Sequence, residues 1–375
     1  MITPYKIDIP EDLIRQTRER VRQTRWPVLP QGDSSRYGAS IPFLKNMLSY
    51  WAEEYSWRAW EQKLNSQPHF LTEIDGVDIH FWHIRGSKPG SIPLLLLHGW
   101  PGSPIEYWDL IGPLTDPATH GAPDAPSFDV VIAELPGFGF SGKPVEAGWG
   151  PERMANALHE LMHSVLEYPT YAIHGEDWGT LIGARIARRH PEEVAALHIT
   201  TPFTGPYGDF VPTPEWGGRM YEITGYLHVQ SLVPDALTLG MADSPLGLAA
   251  WVLEKFSAWS DSNGDLDATF SRDVLLTNLH FYWLTGSIVS STRLYRESAL
   301  EGGDAIGPPQ IPVPTAVTAF PAEPFTSPRE WLEGVYNIER FSEFESGGHF
   351  AALEKPEIVL DEIRAFFPVY FGENA

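Results

Sequence analysis

The chain has 375 residues, no cysteine and a formal net charge of −23. The lack of cysteine excludes disulfides, a thiolate nucleophile and zinc–sulfur sites, and the negative charge argues against binding to nucleic acid or anionic membranes. No apolar run reaches the roughly 18 residues that a membrane-spanning helix needs, and Met1 to Arg25 contains no apolar signal core. We therefore expect a soluble, cytoplasmic protein without a membrane anchor.

The first segment, residues 1–90, is expected to form an extension and the first strands, which wrap the core. Helices are predicted over Glu11 to Gln23 and over Pro42 to Leu64, with a Pro-rich strap around Trp26-Pro27 between them. Asp75-Gly76 separates two alternating apolar runs, a pattern typical of a β-hairpin.

Strand-like and helical runs alternate after residue 90. Helices are predicted at Pro151 to Glu167 and at Thr180 to Arg189. Strands are predicted at Ile92 to His98, Phe128 to Glu134, Thr170 to His174, Val194 to Thr200 and Val313 to Phe320. This alternation predicts an α/β fold with a mostly parallel central sheet and helices on both faces.

Residues 203–307 interrupt this alternation with a helical, aromatic and Pro-interrupted stretch. It separates two core segments, 91–202 and 308–375, and Gly302 to Pro312 is predicted to be the linker back to the core. Because open α/β sheets bind ligands beyond the carboxyl ends of their strands, we interpret the insertion as a helical cap over that edge.

The most informative motif is Gly175-Glu176-Asp177-Trp178-Gly179, which follows an apolar run and precedes a helix. A strand–turn–helix with small residues two positions either side of the centre is the nucleophile elbow of the α/β-hydrolase fold. Its central residue is a carboxylate, so we expect Asp177 to attack carbon and form an ester, as suits epoxides or alkyl halides. No Gly-x-Ser-x-Gly sequence occurs, which argues against an esterase.

Two backbone amides are expected to form the oxyanion hole of such an enzyme. In this fold, the loop after an early strand supplies one N–H and the residue after the nucleophile supplies the other. The buried run Leu94 to Leu97 leads into His98-Gly99-Trp100-Pro101-Gly102. The expected donors are therefore Trp100 and Trp178.

A base and its acid partner are expected in the last part of the chain. His349 follows two glycines and precedes a helix, as the chain order nucleophile, acid, histidine requires, and would act as general base toward water. Glu323, at the end of the Val313 strand, is the favoured acid. Glu330 and Glu345 are alternatives.

Opening an epoxide also requires a donor to the departing oxygen, and tyrosine can supply one. The cap contains Tyr226 and Tyr295. On spacing alone, tyrosines of the cap are more readily explained as packing residues.

Several motifs together resemble the microsomal-type epoxide hydrolases over nearly the whole chain: Thr24 to Pro27, His98 to Pro104, Gly175 to Gly179, Asp243 to Trp251, Glu254 to Phe256 and Gly347 to Glu354. The resemblance implies that Asp177 is the nucleophile and that His349 with an upstream acid activates water. It also implies that Tyr226 and Tyr295 bind the epoxide oxygen. The anchor helix of the membrane-bound members has no counterpart in this sequence, so membrane attachment is not expected.

Two motifs that suggest metal sites are better explained otherwise. His159-Glu160-Leu161-Met162-His163 fits a zinc-protease pattern, but both histidines lie opposite the apolar face of their helix and are expected to be solvated. Asp261 to Asp267 resembles a calcium loop, yet its glycine is misplaced and Arg272 occupies the bidentate position, so a turn is predicted. No metal and no cofactor are expected.

The sequence thus predicts an epoxide hydrolase that converts a small apolar epoxide and water to a vicinal diol. A haloalkane dehalogenase is the enzymatic alternative, and a non-catalytic ligand-binding protein on a hydrolase scaffold is the other. The sequence is compatible with a homodimer.

Overall fold

Buried apolar runs form most of the central sheet. A computed structural model describes residues 1–28, 37–205, 213–303 and 306–372. The strands are β1 (Thr3–Tyr5), β2 (His69–Ile74), β3 (Val77–Ile84), β4 (Ile92–Leu97), β5 (Phe128–Ala133), β6 (Tyr171–Gly175), β7 (Val194–Ile199), β8 (Ile311–Ala319) and β9 (Tyr336–Glu343). Their order in the sheet is β1-β2-β3-β5-β4-β6-β7-β8-β9. In this order, each strand from β5 to β9 is parallel to its neighbour. Strands β1, β2 and β3 pair antiparallel with one another, and β3 also pairs antiparallel with β5.

The central strands are buried on both faces, as parallel strands covered by helices must be. Leu94 to Leu97 and Val130 to Ala133 have no exposed surface. In the part of the core that the structure describes, the helices are α1 (Glu11–Arg22), α2 (Ile41–Glu53), α3 (Trp57–Leu64), α4 (Trp108–Thr115), α5 (Pro151–Glu160), α6 (Trp178–Arg189), α14 (Arg329–Val335), α15 (Ala351–Glu354) and α16 (Pro356–Phe366). Helix α5 packs against α6, and α4 packs against α16.

Among the described residues between β7 and β8 there are seven further helices, although these two strands are neighbours in the sheet. They are α7 (Pro214–Ile223), α8 (Gly225–Leu232), α9 (Pro234–Ala242), α10 (Pro245–Trp259), α11 (Leu266–Thr269), α12 (Arg272–Trp283) and α13 (Ile288–Glu301). We propose that they form the cap. Residues 206–212 of the predicted cap and 304–305 of the predicted linker lie outside the described residues.

The hairpin at Asp75-Gly76 is confirmed, with Ile74 paired to Val77, and the predicted strands agree with the structure to within two residues at each end. The prediction of one helix over Pro42 to Leu64 is wrong. The chain breaks after α2, and the hydroxyl of Ser56 accepts a hydrogen bond from Ala59 N at 3.4 Å to begin α3. A side chain that caps a new helix start explains the interruption.

Two other predictions differ from the structure, one at the end of a helix and one at the edge of the sheet. The helix predicted to reach Glu167 is α-helical only to Glu160 and continues as a π-turn over Leu161–Val165. Strand β9 was not predicted from the sequence. It is an edge strand in which charged Glu339 and Arg340 stand between apolar residues, so its pattern lacks the continuous apolar run of a buried strand.

No single helix in the described ranges is long and apolar enough to cross a membrane. One consecutive pair, α9 and α10, has the combined length and composition, but the two helices are bent by 120°.

Candidate active site

Asp177 occupies the sharp turn between β6 and α6. Its φ of 49° and ψ of −123° lie in a region that non-glycine residues rarely adopt. A Cβ on Gly175 would lie 2.4 Å from the backbone of Gly179, and a Cβ on Gly179 would lie 1.8 Å from the carbonyl oxygen of Leu97. The two glycines of the motif are therefore what allows this turn to form.

The carboxylate of Asp177 lies between a backbone amide and an imidazole. Trp100 N–H donates to Oδ1 at 2.7 Å, while Nε2 of His349 lies 3.4 Å from Oδ2. A Cβ on Gly99 would lie 2.0 Å from Oδ1, so glycine is needed there for the carboxylate to approach the loop. One oxygen thus already sits where an N–H donor can stabilise negative charge.

His349 contacts a second carboxylate through its other ring nitrogen. Nδ1 lies 2.8 Å from Oε2 of Glu323, and both side chains are buried. The second oxygen of Glu323, Oε1, accepts a hydrogen bond from Phe325 N at 2.8 Å. The sequence alternatives Glu330 and Glu345 are both exposed. The structure therefore brings Glu323, and neither alternative, to the imidazole.

The charges around His349 decide its protonation. Burial alone would lower the pKa of His349, but the negative charge of Glu323 and hydrogen bonds to Asp177 and Glu323 raise that pKa well above its usual value. These charges therefore favour the protonated imidazole in the free protein. Because Asp177 is one source of this shift, neutralising its charge would lower the pKa of His349.

Tyr226 and Tyr295, from the proposed cap, lie close together beside the cavity that Asp177 also lines. Tyr226 from α8 stacks on Trp100, with ring centroids 5.5 Å apart and planes within 9°. Tyr295 from α13 packs edge-on against Trp178, with centroids 4.9 Å apart, and lies 5.8 Å from Tyr226. Burial, followed by the charges of Tyr226 and Asp177, raises the pKa of Tyr295 well above its usual value, so its hydroxyl stays a proton donor.

An apolar cavity of about 60 Å³ joins these groups. It is lined by Asp177, Trp178, Leu181, Thr201, Phe203, Thr224, Tyr226, Leu227, Tyr295 and Phe325. The Asp177 carboxylate and both tyrosines therefore border one space, and most of the remaining lining is aliphatic or aromatic.

Comparison with known proteins identifies the family of this chain. Residues 2–107 match the family described as epoxide hydrolase N terminus, and residues 92–221 match the alpha/beta hydrolase fold. Epoxide hydrolase 1 of Sus scrofa is 35% identical over 97% of this chain and 88% of its own length. The chain belongs to the epoxide hydrolase family.

Solved structures lead to the same family. Juvenile hormone epoxide hydrolase from the silkworm Bombyx mori superposes with a TM-score of 0.86 at 35% identity, over 97% of this chain and 92% of that one. Aspergillus niger epoxide hydrolase superposes with a TM-score of 0.84 at 27% identity, over 99% and 97%. The resemblance to microsomal-type epoxide hydrolases, the α/β-hydrolase fold and the prediction of an epoxide hydrolase are all confirmed.

In this epoxide hydrolase, two buried glutamates beside the site were not identified from the sequence as functional. Oε1 of Glu176 accepts a hydrogen bond from Ala352 N at 3.1 Å, and Oε1 of Glu106 accepts one from Ser103 N at 3.2 Å. Burial raises the pKa of Glu176 to about 8; it likewise raises that of Glu106, where the charge of Glu176 adds to the effect. Each carboxyl group thus accepts a hydrogen bond from the backbone, Glu176 from the segment after His349 and Glu106 from the segment after Trp100.

The loop that carries His349 is fixed by three further contacts. His349 N donates to Trp259 O at 2.8 Å, and Gly347 N donates to Oδ2 of Asp261 at 3.0 Å. Glu354 accepts from Asp261 N at 2.8 Å. Of the turn predicted over Asp261 to Asp267, residues 261–264 form a turn, whereas helix α11 begins at Leu266. Asp261 contacts the loop of His349.

The candidate zinc motif has a different environment from the one expected. His163 is exposed, but His159 is half-buried, with Nδ1 2.9 Å from the Tyr171 hydroxyl and its ring 3.5 Å from that of His190. Burial and the neighbouring His190 and His163 lower the pKa of His159 to about 4. The prediction that both are solvated is therefore wrong for His159. No group of three or more His, Cys, Asp or Glu suited to a metal ion occurs in the described ranges.

Proposed function

We propose that this epoxide hydrolase converts a small apolar epoxide to a vicinal diol through an ester on Asp177. The observation that carries the proposal is the shared cavity, where the Asp177 carboxylate faces two buried tyrosines and contacts both Trp100 N and His349 Nε2. The apolar lining supports a substrate without charge.

In the first step, Oδ2 of Asp177 attacks one epoxide carbon, and the carbon–oxygen bond of the ring breaks. The bonding electron pair stays on the ring oxygen, which takes a proton from Tyr226 or Tyr295. The Trp100 amide keeps Oδ1 in place, so Oδ2 is the oxygen left for attack. Proximity of the carboxylate and the donor hydroxyls supplies the catalysis of this step.

In the second step, His349 takes a proton from water, and the water oxygen attacks Cγ of the Asp177 ester. Ester formation has removed the charge of Asp177, which lowers the pKa of His349, so the imidazolium releases its proton to solvent and the neutral imidazole can act as a base. Glu323 stabilises the resulting imidazolium. The amides of Trp100 and Trp178 stabilise the oxyanion. When the Cγ–Oδ2 bond breaks, Oδ2 leaves with the diol and takes the second proton of the attacking water, so Asp177 is again a carboxylate. The proton on His349 restores the tyrosine.

The test is an ester trap with His349→Gln. General bases contribute roughly 10²- to 10⁴-fold, so the second step should slow by this factor while ring opening continues. After incubation with styrene oxide, intact mass spectrometry should show one added epoxide mass on the protein. Asp177→Asn with His349→Gln is the matched control and should show none.

An unmodified His349→Gln protein would contradict the ester. A single turnover of the wild type in ¹⁸O-water gives an independent answer, because water oxygen should enter Asp177 and the diol should carry none. Chloride release from a haloalkane, without diol from styrene oxide, would instead favour a dehalogenase.

A further inference from the structure

Thr201 lies two residues beyond β7, at the carboxyl end of the sheet, and is 4% exposed. Its hydroxyl connects two parts of the site that are far apart in the sequence. Oγ1 accepts a hydrogen bond from Asp177 N at 2.9 Å and donates one to Oε2 of Glu323 at 3.2 Å. We propose that Thr201 is a positioning residue that couples the nucleophile elbow to the acid partner of His349.

The direction of both hydrogen bonds is fixed by chemistry. A backbone N–H can only donate, so the hydroxyl oxygen must accept from Asp177. A carboxylate can only accept, so the hydroxyl proton must point to Glu323. Only a side chain that accepts and donates at once fits between these two groups, and a hydroxyl does both.

Thr201 donates to the same oxygen of Glu323 that contacts His349. Oε2 also accepts the hydrogen bond from Nδ1 of His349, at 2.8 Å. Thr201 therefore fixes the position of the atom that orients the imidazole. Its second bond satisfies the partly buried N–H of Asp177, whose backbone is strained at a φ of 49°.

Loss of the hydroxyl should affect the second step more than the first. Asp177 keeps its carboxylate contact with Trp100 N, so ring opening retains its main geometry. Glu323 loses one of the donors that fix Oε2, and His349 then loses part of its orientation. Since small misplacements of a reacting group cost up to about 10²-fold, ester hydrolysis should slow by roughly 10- to 100-fold.

The experiment compares Thr201→Val, which keeps the shape without the hydroxyl, with Thr201→Ser, which keeps the hydroxyl. Rapid-quench single turnovers with styrene oxide, read by intact mass, measure ester formation and ester loss separately. We expect Thr201→Val to accumulate ester, with kcat and KM both lowered, and Thr201→Ser to resemble the wild type. Thr277→Val, which removes a buried hydroxyl that bonds to Tyr55 at 3.0 Å, should turn over like the wild type.

Wild-type turnover by Thr201→Val would overturn the proposal, as would equal impairment of the Val and Ser variants. Slow ester formation without accumulation would reduce Thr201 to a support of the elbow and would also overturn it. If Thr201→Val does not fold, Thr201→Ala gives the same comparison. The inference rests on the proposed ester, and the His349→Gln trap tests that ester without involving Thr201.

Discussion

The core and the cap hold their proposed catalytic groups in different ways. In the core, Asp177, Glu323 and His349 are fixed by hydrogen bonds between 2.7 and 3.2 Å from backbone and side-chain donors near the strand ends. In the cap, Tyr226 and Tyr295 are placed mainly by ring packing on tryptophans of the core. Trp178 and Tyr226 also lie close enough to the Tyr295 hydroxyl to affect its pKa.

This difference follows from what each group does. A group that forms a covalent bond or moves a proton from water must keep one direction, and hydrogen bonds give direction. The proposed catalytic groups of the core are thus oriented by hydrogen bonds, whereas the two tyrosines are placed mainly by ring packing.

The contrast between core and cap depends most on whether the two tyrosines are the donors to the epoxide oxygen. Tyr226→Phe and Tyr295→Phe should each slow ring opening by roughly 10- to 100-fold, because one donor remains, and together by about 10³-fold or more. Rapid-quench measurement of ester formation checks this. Tyr168→Phe, which removes a hydroxyl bonded to Asp129 at 2.7 Å away from the site, is the control. Unchanged ester formation in the double variant would exclude both tyrosines.

The same contrast explains what could be predicted from the sequence. Asp177 and His349 lie in short motifs whose turns require glycines at fixed offsets, and such local constraints are visible in a sequence. Thr201 gains its place from a contact with Glu323, 122 residues away, and Glu176 from one with Ala352, 176 residues away. Nothing near either residue in the chain indicates its partner.

The fold shows the same division. Strand β4 could be predicted because a strand buried on both faces is apolar throughout. Edge strand β9 was not predicted because some of its residues face solvent and are polar, which interrupts the apolar run. The cap tyrosines needed the family resemblance. Spacing alone did not distinguish them from packing residues.

Within the core, the pKa values of two buried glutamates, Glu176 and Glu134, are shifted in opposite directions. Burial raises the pKa of Glu176 to about 8. For Glu134, burial alone would also raise the pKa, but the neighbouring His80, at 3.0 Å, lowers it overall. A raised pKa contributes stability that is full below about pH 4.5 and is lost as pH rises toward about 8. A lowered pKa contributes stability above its unfolded value and loses it in acid.

Glu176→Gln keeps an acceptor for Ala352 N but cannot ionise, so it should be as stable as the wild type near pH 5 and more stable near pH 8. The expected gain in the free energy of unfolding is roughly 2 to 4 kcal/mol. Glu134→Gln is the matched control and should be less stable than the wild type near pH 8, with a smaller deficit in acid. Urea unfolding at the two pH values measures both. A Glu176→Gln deficit that is equal at both pH values would show that only packing is involved.

The smallest change in kcat is expected for Arg219, which connects α7 of the proposed cap to the core. Arg219 on α7 donates from Nη2 to Pro324 O at 2.6 Å, to Thr326 Oγ1 at 3.1 Å and to Glu323 O at 3.3 Å. A cap side chain thus holds the core loop that carries the acid. Because Arg219 is exposed and Glu323 keeps its own hydrogen bonds without it, Arg219→Leu should lower kcat only about 3- to 10-fold, through a looser loop.

Steady-state diol formation checks this, with Arg219→Lys expected to lie between the wild type and the Leu variant. Arg329→Leu is the control, since Arg329 borders the same surface but pairs with Glu333 at 2.7 Å and not with the acid loop. If Arg219→Leu and Arg329→Leu have the same kcat as the wild type, the cap contributes its tyrosines without holding the core loop. If Arg219→Leu alone accumulates ester, the cap also affects ester hydrolysis through the loop of Glu323. Core and cap would then not have fully separate roles, because Arg219 would link them.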